Sequence, residues 1–152
     1  MKKLILASLI FTFFLSACSV NNNTSSNEAT SVKLPPDPSS VVYNTDWLLK
    51  EMNGKAVKIS PDAPRKAMIH IDKDDHITGS SGCNLLSGNC RFRDNDKIAI
   101  SYGAATQMAC PDMAIEDEFF AALNKVGIYK LDGNTLHLMD RYGNLLLSFE
   151  KG

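Results

Sequence analysis

The sequence predicts a mainly β (α+β) domain, a small antiparallel and partly open β-barrel of about seven or eight strands with one helix near residues 113–126. Three observations predict it. Apolar residues recur in short runs with period two, the signature of strands buried on one face. Clusters of turn-forming residues separate these runs at short intervals. One late stretch switches to helical spacing.

The alternation is clearest where Ala67, Ile69 and Ile71 interleave with Lys66, His70 and Asp72. Ile98 and Ile100 form a similar run, Leu136 and Leu138 flank His137, and Leu145, Leu147 and Phe149 follow. Turn signals divide them at Asp72-Lys73-Asp74-Asp75, Asp94-Asn95-Asp96, Asp132-Gly133-Asn134 and Tyr142-Gly143-Asn144. Between Ala114 and Val126 the apolar positions are Ile115, Phe119, Ala122, Leu123 and Val126, a helical pattern. Pro111 and Asp112 supply its start signal. Glu116, Asp117 and Glu118 load the first turn with negative charge, and Lys125 sits near the last turn, which complements the helix dipole. Gly127 is placed to end the helix. A sheet of this size must close or split to protect its edges, and one late helix favours a barrel with that helix plugging a gap or an end.

The chain has 152 residues, 44% hydrophobic and 22% charged, a length for one domain. Its N-terminus has a different purpose. Lys2 and Lys3 precede an apolar run from Leu4 to Leu15, the layout of a secretory signal. As a helix that run would rise about 18 Å, too short for a hydrocarbon core of about 30 Å. It ends in Leu15-Ser16-Ala17-Cys18, which resembles the bacterial lipobox. The resemblance implies removal of residues 1–17 and acylation of Cys18, with a diacylglycerol on the sulfur and a fatty acid such as palmitate on the amine. Two or three chains anchor firmly where one does not. Ser19 stands where an inner-membrane retention signal would have Asp. In a diderm bacterium the expected location is therefore the periplasmic face of the outer membrane.

Residues 18–42 read as the lipidated cysteine and a disordered tether rich in Asn, Ser and Pro. This segment has too little apolar surface to offset its ordering entropy. The folded domain is expected over 43–152. Loss of Lys2 and Lys3 with the signal takes the formal net charge from −1 to −3. Neither value suits nucleic acid, which asks for a basic excess. Membrane attachment must then come from lipid rather than from a basic patch.

Two stretches go beyond patterning: Gly79-Ser80-Ser81-Gly82-Cys83-Asn84 with Gly88 after it, and Thr106-Gln107-Met108-Ala109-Cys110. Physically, the glycines allow positive φ or close backbone approach beside Cys83, and Asn84 can satisfy backbone groups of the turn. Trp47-Leu48-Leu49, Asn53-Gly54-Lys55 and Leu136-His137-Leu138-Met139-Asp140 occupy the flanks. In this order the motifs resemble the META domain of HslJ-type heat-shock lipoproteins, over about residues 45–150. The resemblance implies a lipocalin-like or cracked barrel with a helix. It also implies stress-related or secretion-related roles in the envelope without a defined molecular activity. Gly79, Gly82, Asn84, Gly88, Thr106, Met108 and Ala109 are then structural motif residues.

With Cys18 acylated, three cysteines face an oxidising compartment. Cys83 and Cys110 match the two family positions, and the resemblance implies a disulfide between them. Closing that span would stabilise by about 3.5 kcal/mol in the chain-entropy treatment. Two unpaired thiols, or a Cys83–Cys90 bridge, stay open as alternatives. Cys90 departs from the family pattern and shares strand parity with Phe92, so it is expected to point inward as an apolar filler.

No catalytic residues, metal or cofactor are expected. A cysteine nucleophile needs a base and an orienting partner, and none of His70, His76 or His137 is placed by sequence next to one. The cysteines and histidines lack ligand spacing, and the Asp72, Asp74, Asp75 cluster lacks the glycine and closing glutamate of a calcium loop. The expected function is a non-catalytic accessory lipoprotein, binding or chaperone-like, for an envelope protein or lipid client. Its partners would be the membrane, through the lipid on Cys18, and that client, with no nucleic acid and a monomeric domain. Leu85, Leu86, Phe92 and Met108 would line an opening near the helix or else serve as plain core. The alternatives are a structural, stress-buffering lipoprotein affecting envelope integrity and antibiotic sensitivity, and more remotely a Cys-dependent enzyme.

Overall fold

A short helix α1 (Pro38–Val42) leads into strand β1 (Thr45–Met52), which hairpins to the two-residue β2 (Lys55–Ala56). The computed structural model describes residues 38–94, 96–110 and 113–152. The expected signal peptide, Cys18, most of the tether and the helix start at Pro111 and Asp112 lie outside these residues.

The meander continues through β3 (Ala67–Ile71), β4 (His76–Ser81), β5 (Leu85–Arg93) and β6 (Lys97–Ala105). Helix α2 (Met113–Leu123) follows, then β7 (Val126–Asp132), β8 (Thr135–Asp140) and β9 (Leu145–Lys151). Neighbouring strands pair antiparallel in the order β2-β1-β3-β4-β5-β6-β7-β8-β9, and β1 pairs again with β9. Eight strands therefore form a closed ring, with β2 as an addition. The ring is thinnest between β6 and β7. They share one registered pair, Lys97↔Ile128, reinforced by the Tyr129 N–H donating to the Asp96 carbonyl at 2.9 Å. Beyond Lys97, β6 runs past the start of β7, so this is the most sparsely paired seam of the closed ring.

Period-two patterning becomes inward side chains. Ile69, Ile71, Ile77, Leu136, Leu138, Leu147, Phe149 and Trp47 are all fully buried. The interior is filled by these side chains rather than left as a lumen. Cys90 is fully buried among them and Phe92 packs partly buried against the same core. In β1 the inward positions Leu49 and Met52 are three apart, because a bulge shifts the register between Leu49 and Glu51. A Cβ on Gly79 would collide with the Met68 carbonyl oxygen, and one on Gly88 with the Ser101 carbonyl oxygen. The two glycines sit where the backbone of the neighbouring strand comes too close for a side chain.

The two helices cap opposite ends. At one end Val42 is buried, and the Trp47 Nε1–H donates to its carbonyl at 3.0 Å. The folded part thus starts ahead of the expected boundary at residue 43. At the other end α2 buries Glu116, Phe119, Ala122 and Leu123, and Phe119 meets Phe149 with ring centroids 6.5 Å apart. The helix is shorter than expected. It ends at Leu123, and Val126 and Gly127 belong to β7. Val126 is apolar at helical spacing, but its backbone pairs with Asp140, and Gly127 is the extra residue of a bulge between Val126 and Ile128. A bulge glycine and a helix-stop glycine look alike in sequence.

Candidate functional site

The two motif stretches meet at the barrel end closed by α2. Gly82 opens the turn between β4 and β5 at φ +107°, which side chains other than glycine's rarely adopt. Its N–H donates to Ser80 Oγ at 3.1 Å, and the Ser81 N–H donates to the Asn84 carbonyl at 3.3 Å. This turn presents Asn84 to the interior, where it is fully buried.

Asn84 fills its whole hydrogen-bonding capacity. Its Nδ2 donates to Glu116 Oε1 at 2.8 Å and to the Met108 carbonyl at 3.1 Å. Its Oδ1 accepts from Thr106 Oγ1 at 2.8 Å and from the Met108 N–H at 2.7 Å. Thr106 is itself tied to β5, since the Leu85 N–H donates to Thr106 Oγ1 and the Thr106 N–H donates to the Leu85 carbonyl. A side chain carrying both donors and acceptors is required here. Aspartate would lack the donors and leucine would lack everything.

Glu116 carries a role that its sequence pattern does not announce. It stands in the first turn of the helix as expected, and it is also 7% exposed and turned into the barrel end. Its carboxylate accepts from Ser81 Oγ at 2.8 Å, from the Asn84 N–H at 3.2 Å and from Asn84 Nδ2. A signal was present: Glu116 shares a helical stripe with Phe119 and Leu123, spacing i, i+3, i+7, so a helix buried through those two buries the acid as well. Glu118 also does more than balance a dipole, accepting from Asn53 Nδ2 at 2.7 Å.

A covalent link completes the knot. Cys83 and Cys110 form a disulfide with their Cα atoms 6.2 Å apart, and among the described residues Cys90 is the free thiol. The three thiols therefore sort as the family positions imply, and the Cys83–Cys90 bridge does not form. Burial, with a smaller contribution from the Asp75 charge, pushes the Cys90 thiol up to about 12. That holds it protonated, unlike an activated nucleophile. Ala109 is exposed, and nothing in the structure explains an alanine there.

The histidines stay apart from this chemistry. His70 Nδ1 lies 2.7 Å from Asp46 Oδ1, and His76 Nδ1 lies 3.2 Å from Asp72 Oδ2, both at the surface. The Asp72 cluster is a plain turn whose Oδ1 accepts from the N–H groups of Asp74 and His76. No group of three metal-ligating side chains occurs among the described residues. Within the same residues no helix is long and apolar enough to cross a membrane.

Outside the knot, strands β3 to β6 carry a shallow groove of roughly 780 Å³, a volume in the usual small-molecule range. Of the apolar residues expected at an opening, Leu86 lines it from a buried position and Leu85 lines it while 45% exposed. Met108 is 44% exposed nearby, whereas Phe92 belongs to the core. Arg65 joins groove and knot: its Nη1 donates to the Cys83 carbonyl at 2.7 Å and lies 3.6 Å from Met108 Sδ.

Comparison with known proteins bears on this arrangement. The barrel is similar to a protein from Burkholderia xenovorans solved by NMR, at TM-score 0.59 and 23% identity over 82% of this chain and 96% of that one. It is also similar to a DUF4847 family protein from Bacteroides vulgatus, at TM-score 0.54 and 17% identity over 74% of this chain and 95% of that one. These likenesses are of fold. No curated protein matches the sequence. The META domain family, in contrast, matches residues 40–152, which takes in the barrel, both motif stretches and the knot they build. The chain belongs to the META domain family.

Proposed function

We propose that this protein is a membrane-anchored envelope lipoprotein whose META domain acts without catalysis, as a stress-related or secretion-related accessory binding or chaperone-like protein. The observation that carries the anchoring is Leu15-Ser16-Ala17-Cys18 directly after a basic head and a short apolar run. Residues 1–17 are removed and Cys18 carries the lipid. In a diderm cell the domain then faces the periplasm from the outer membrane. The Cys83–Cys110 disulfide supports an oxidising compartment. The filled interior leaves an envelope protein or lipid client only the outer surface, and the groove beside Leu85 supports that choice. The protonated, buried Cys90 speaks against cysteine-dependent catalysis.

Labelled palmitate should enter the chain in bacteria and be lost on Cys18→Ala, with the variant released from membranes. Crosslinking in the envelope should then retrieve a reproducible client from the anchored protein. A Cys18→Ala chain that stays membrane-bound and labelled would end the lipoprotein reading.

One observation favours a second reading. Asn84, Thr106 and Glu116 bind each other rather than solvent. A domain whose motif is spent on its own rigidity suits a structural, stress-buffering lipoprotein. A deletion strain with altered antibiotic sensitivity and no retrievable client supports that alternative.

A further inference from the structure

The groove on β3 to β6 has both a shape and a charge. Met68, Leu85, Ala104 and Ala105 give it an apolar lining, and Arg65 and Lys66 stand beside them. No acidic side chain lines it, and neither cation has a carboxylate partner among the described residues. The registers Met68↔Ser80, Ser80↔Leu85 and Ser87↔Ala104 show that the lining crosses four strands, about 15 Å at the usual strand spacing.

We propose that this groove binds an anionic amphiphile with a single acyl chain, its tail along Met68, Leu85, Ala104 and Ala105 and its acidic head on Arg65 and Lys66. Charge complementarity selects the head, because an unneutralised pair of cations beside an apolar floor favours an anion attached to a hydrocarbon. A peptide fits less well. Its main chain would lie across the strands over a mainly apolar floor, where the side chains of Thr78, Ser80, Ser87 and Thr106 offer too few partners for its N–H and C=O groups. This inference rests on the accessory-binding reading and names the ligand class for that surface.

The test uses residues 19–152, which contain every described residue and the whole core, titrated with laurate and myristate below their micelle concentrations and followed by amide NMR. Dodecanol is the neutral control. Shifts should concentrate at Met68, Leu85, Ala104 and Ala105, and affinity should rise by about twofold or more per methylene. Lys66→Glu should weaken myristate binding by about tenfold, and Ala104→Glu should remove it, both with unchanged thermal midpoints. Arg65 is left alone because it also holds the Cys83 carbonyl.

Shifts centred elsewhere, an affinity indifferent to chain length, equal binding of dodecanol, or an unaffected Lys66→Glu would each overturn the proposal. So would binding to phosphatidylglycerol vesicles without binding to the monomeric acid, which would make the patch a membrane-docking surface. If crosslinking retrieves a protein client while no fatty acid binds, the amphiphile falls and the accessory-binding reading stands. If neither binds, both fall.

Discussion

Asn84 and Glu116 lie 32 positions apart, yet the Asn84 amide donates to the Glu116 carboxylate at 2.8 Å in a buried site. The bond ties the turn before β5 to helix α2. Thr106 and the Met108 backbone bond the same asparagine, so the loop from β6 toward α2 is held at that point too. Three segments that would otherwise close the barrel end independently are fastened through one side chain.

The knot should therefore be costly to break and strongly coupled. Glu116→Gln puts an amide N–H₂ among donors and is expected to lose about 1–3 kcal/mol. Asn84→Ala leaves the carboxylate only Ser81 Oγ and the backbone N–H of residue 84, unpairs the Met108 backbone, and should lose about 3 kcal/mol or more. The double variant should lose less than the sum, with a coupling of about 1–3 kcal/mol. Urea denaturation of the four proteins measures this. Additive losses would mean that the bond carries no energy of its own.

The disulfide acts on the same segments through the unfolded chain. Cys83 and Cys110 are 27 positions apart, a span for which the link contributes about 3.5 kcal/mol. Cys83→Ser, Cys110→Ser and the double variant should lose similar amounts, since each removes the one link. Reduction with dithiothreitol should lower the denaturation midpoint by the same margin and leave the barrel folded. Non-reducing peptide mapping should find Cys83 joined to Cys110 and Cys90 alkylated only after unfolding.

Much of this was legible from local pattern. Alternation at Ala67, Ile69 and Ile71 translates directly into β3, and the parity of Cys90 with Phe92 already places the thiol inward. Glu116 was not, because an acid near a helix start has a sufficient local explanation in the helix dipole. Its burial follows from partners on another element. The end of α2 was obscured likewise, since Val126 satisfies a helical period and a strand equally. The β6–β7 seam depends on the single register Lys97↔Ile128, which leaves no mark in composition.

Acid should destabilise the domain in part through Asp140. The Asn144 side-chain amide first, and then the N–H groups of Asn144 and Tyr142, hold its carboxyl below the usual 3.8. A folded-state pKa lower than the unfolded one stabilises fully above 3.8 and is lost as pH falls through the folded value. Asp140 lies at the surface, so the contribution is modest. Asp140→Asn should flatten the acid limb of a plot of denaturation midpoint against pH. An unchanged slope would remove Asp140 from the account.

Alkali acts through Cys90 with the opposite sign. Burial raises its folded-state pKa from 9.0 to about 12, so the folded chain keeps a proton that the unfolded chain releases. Stability should be full below 9.0 and decline as pH rises from there toward 12. Cys90→Ala should show a flatter alkaline limb. In the unvaried chain, iodoacetamide should label Cys90 only under denaturing conditions.

The sharpest contrast is among glycines. A Cβ on Gly79 would meet the Met68 carbonyl oxygen and lie 3.1 Å from the Ile69 Cα, both backbone atoms of the neighbouring strand. Neither can move without prising β3 from β4, so Gly79→Ala should cost about 2 kcal/mol or more. Gly88→Ala, facing the Ser101 backbone, should behave alike. Gly103 lies on the exposed part of β6 with nothing within 4 Å of its added Cβ. Gly103→Ala should instead stabilise by about 0.4–1 kcal/mol by restricting the unfolded chain. Thermal midpoints that fall for the first two variants and rise for the third would show that these two close approaches need glycine. A uniform response would mean that the strands can part to admit a methyl group.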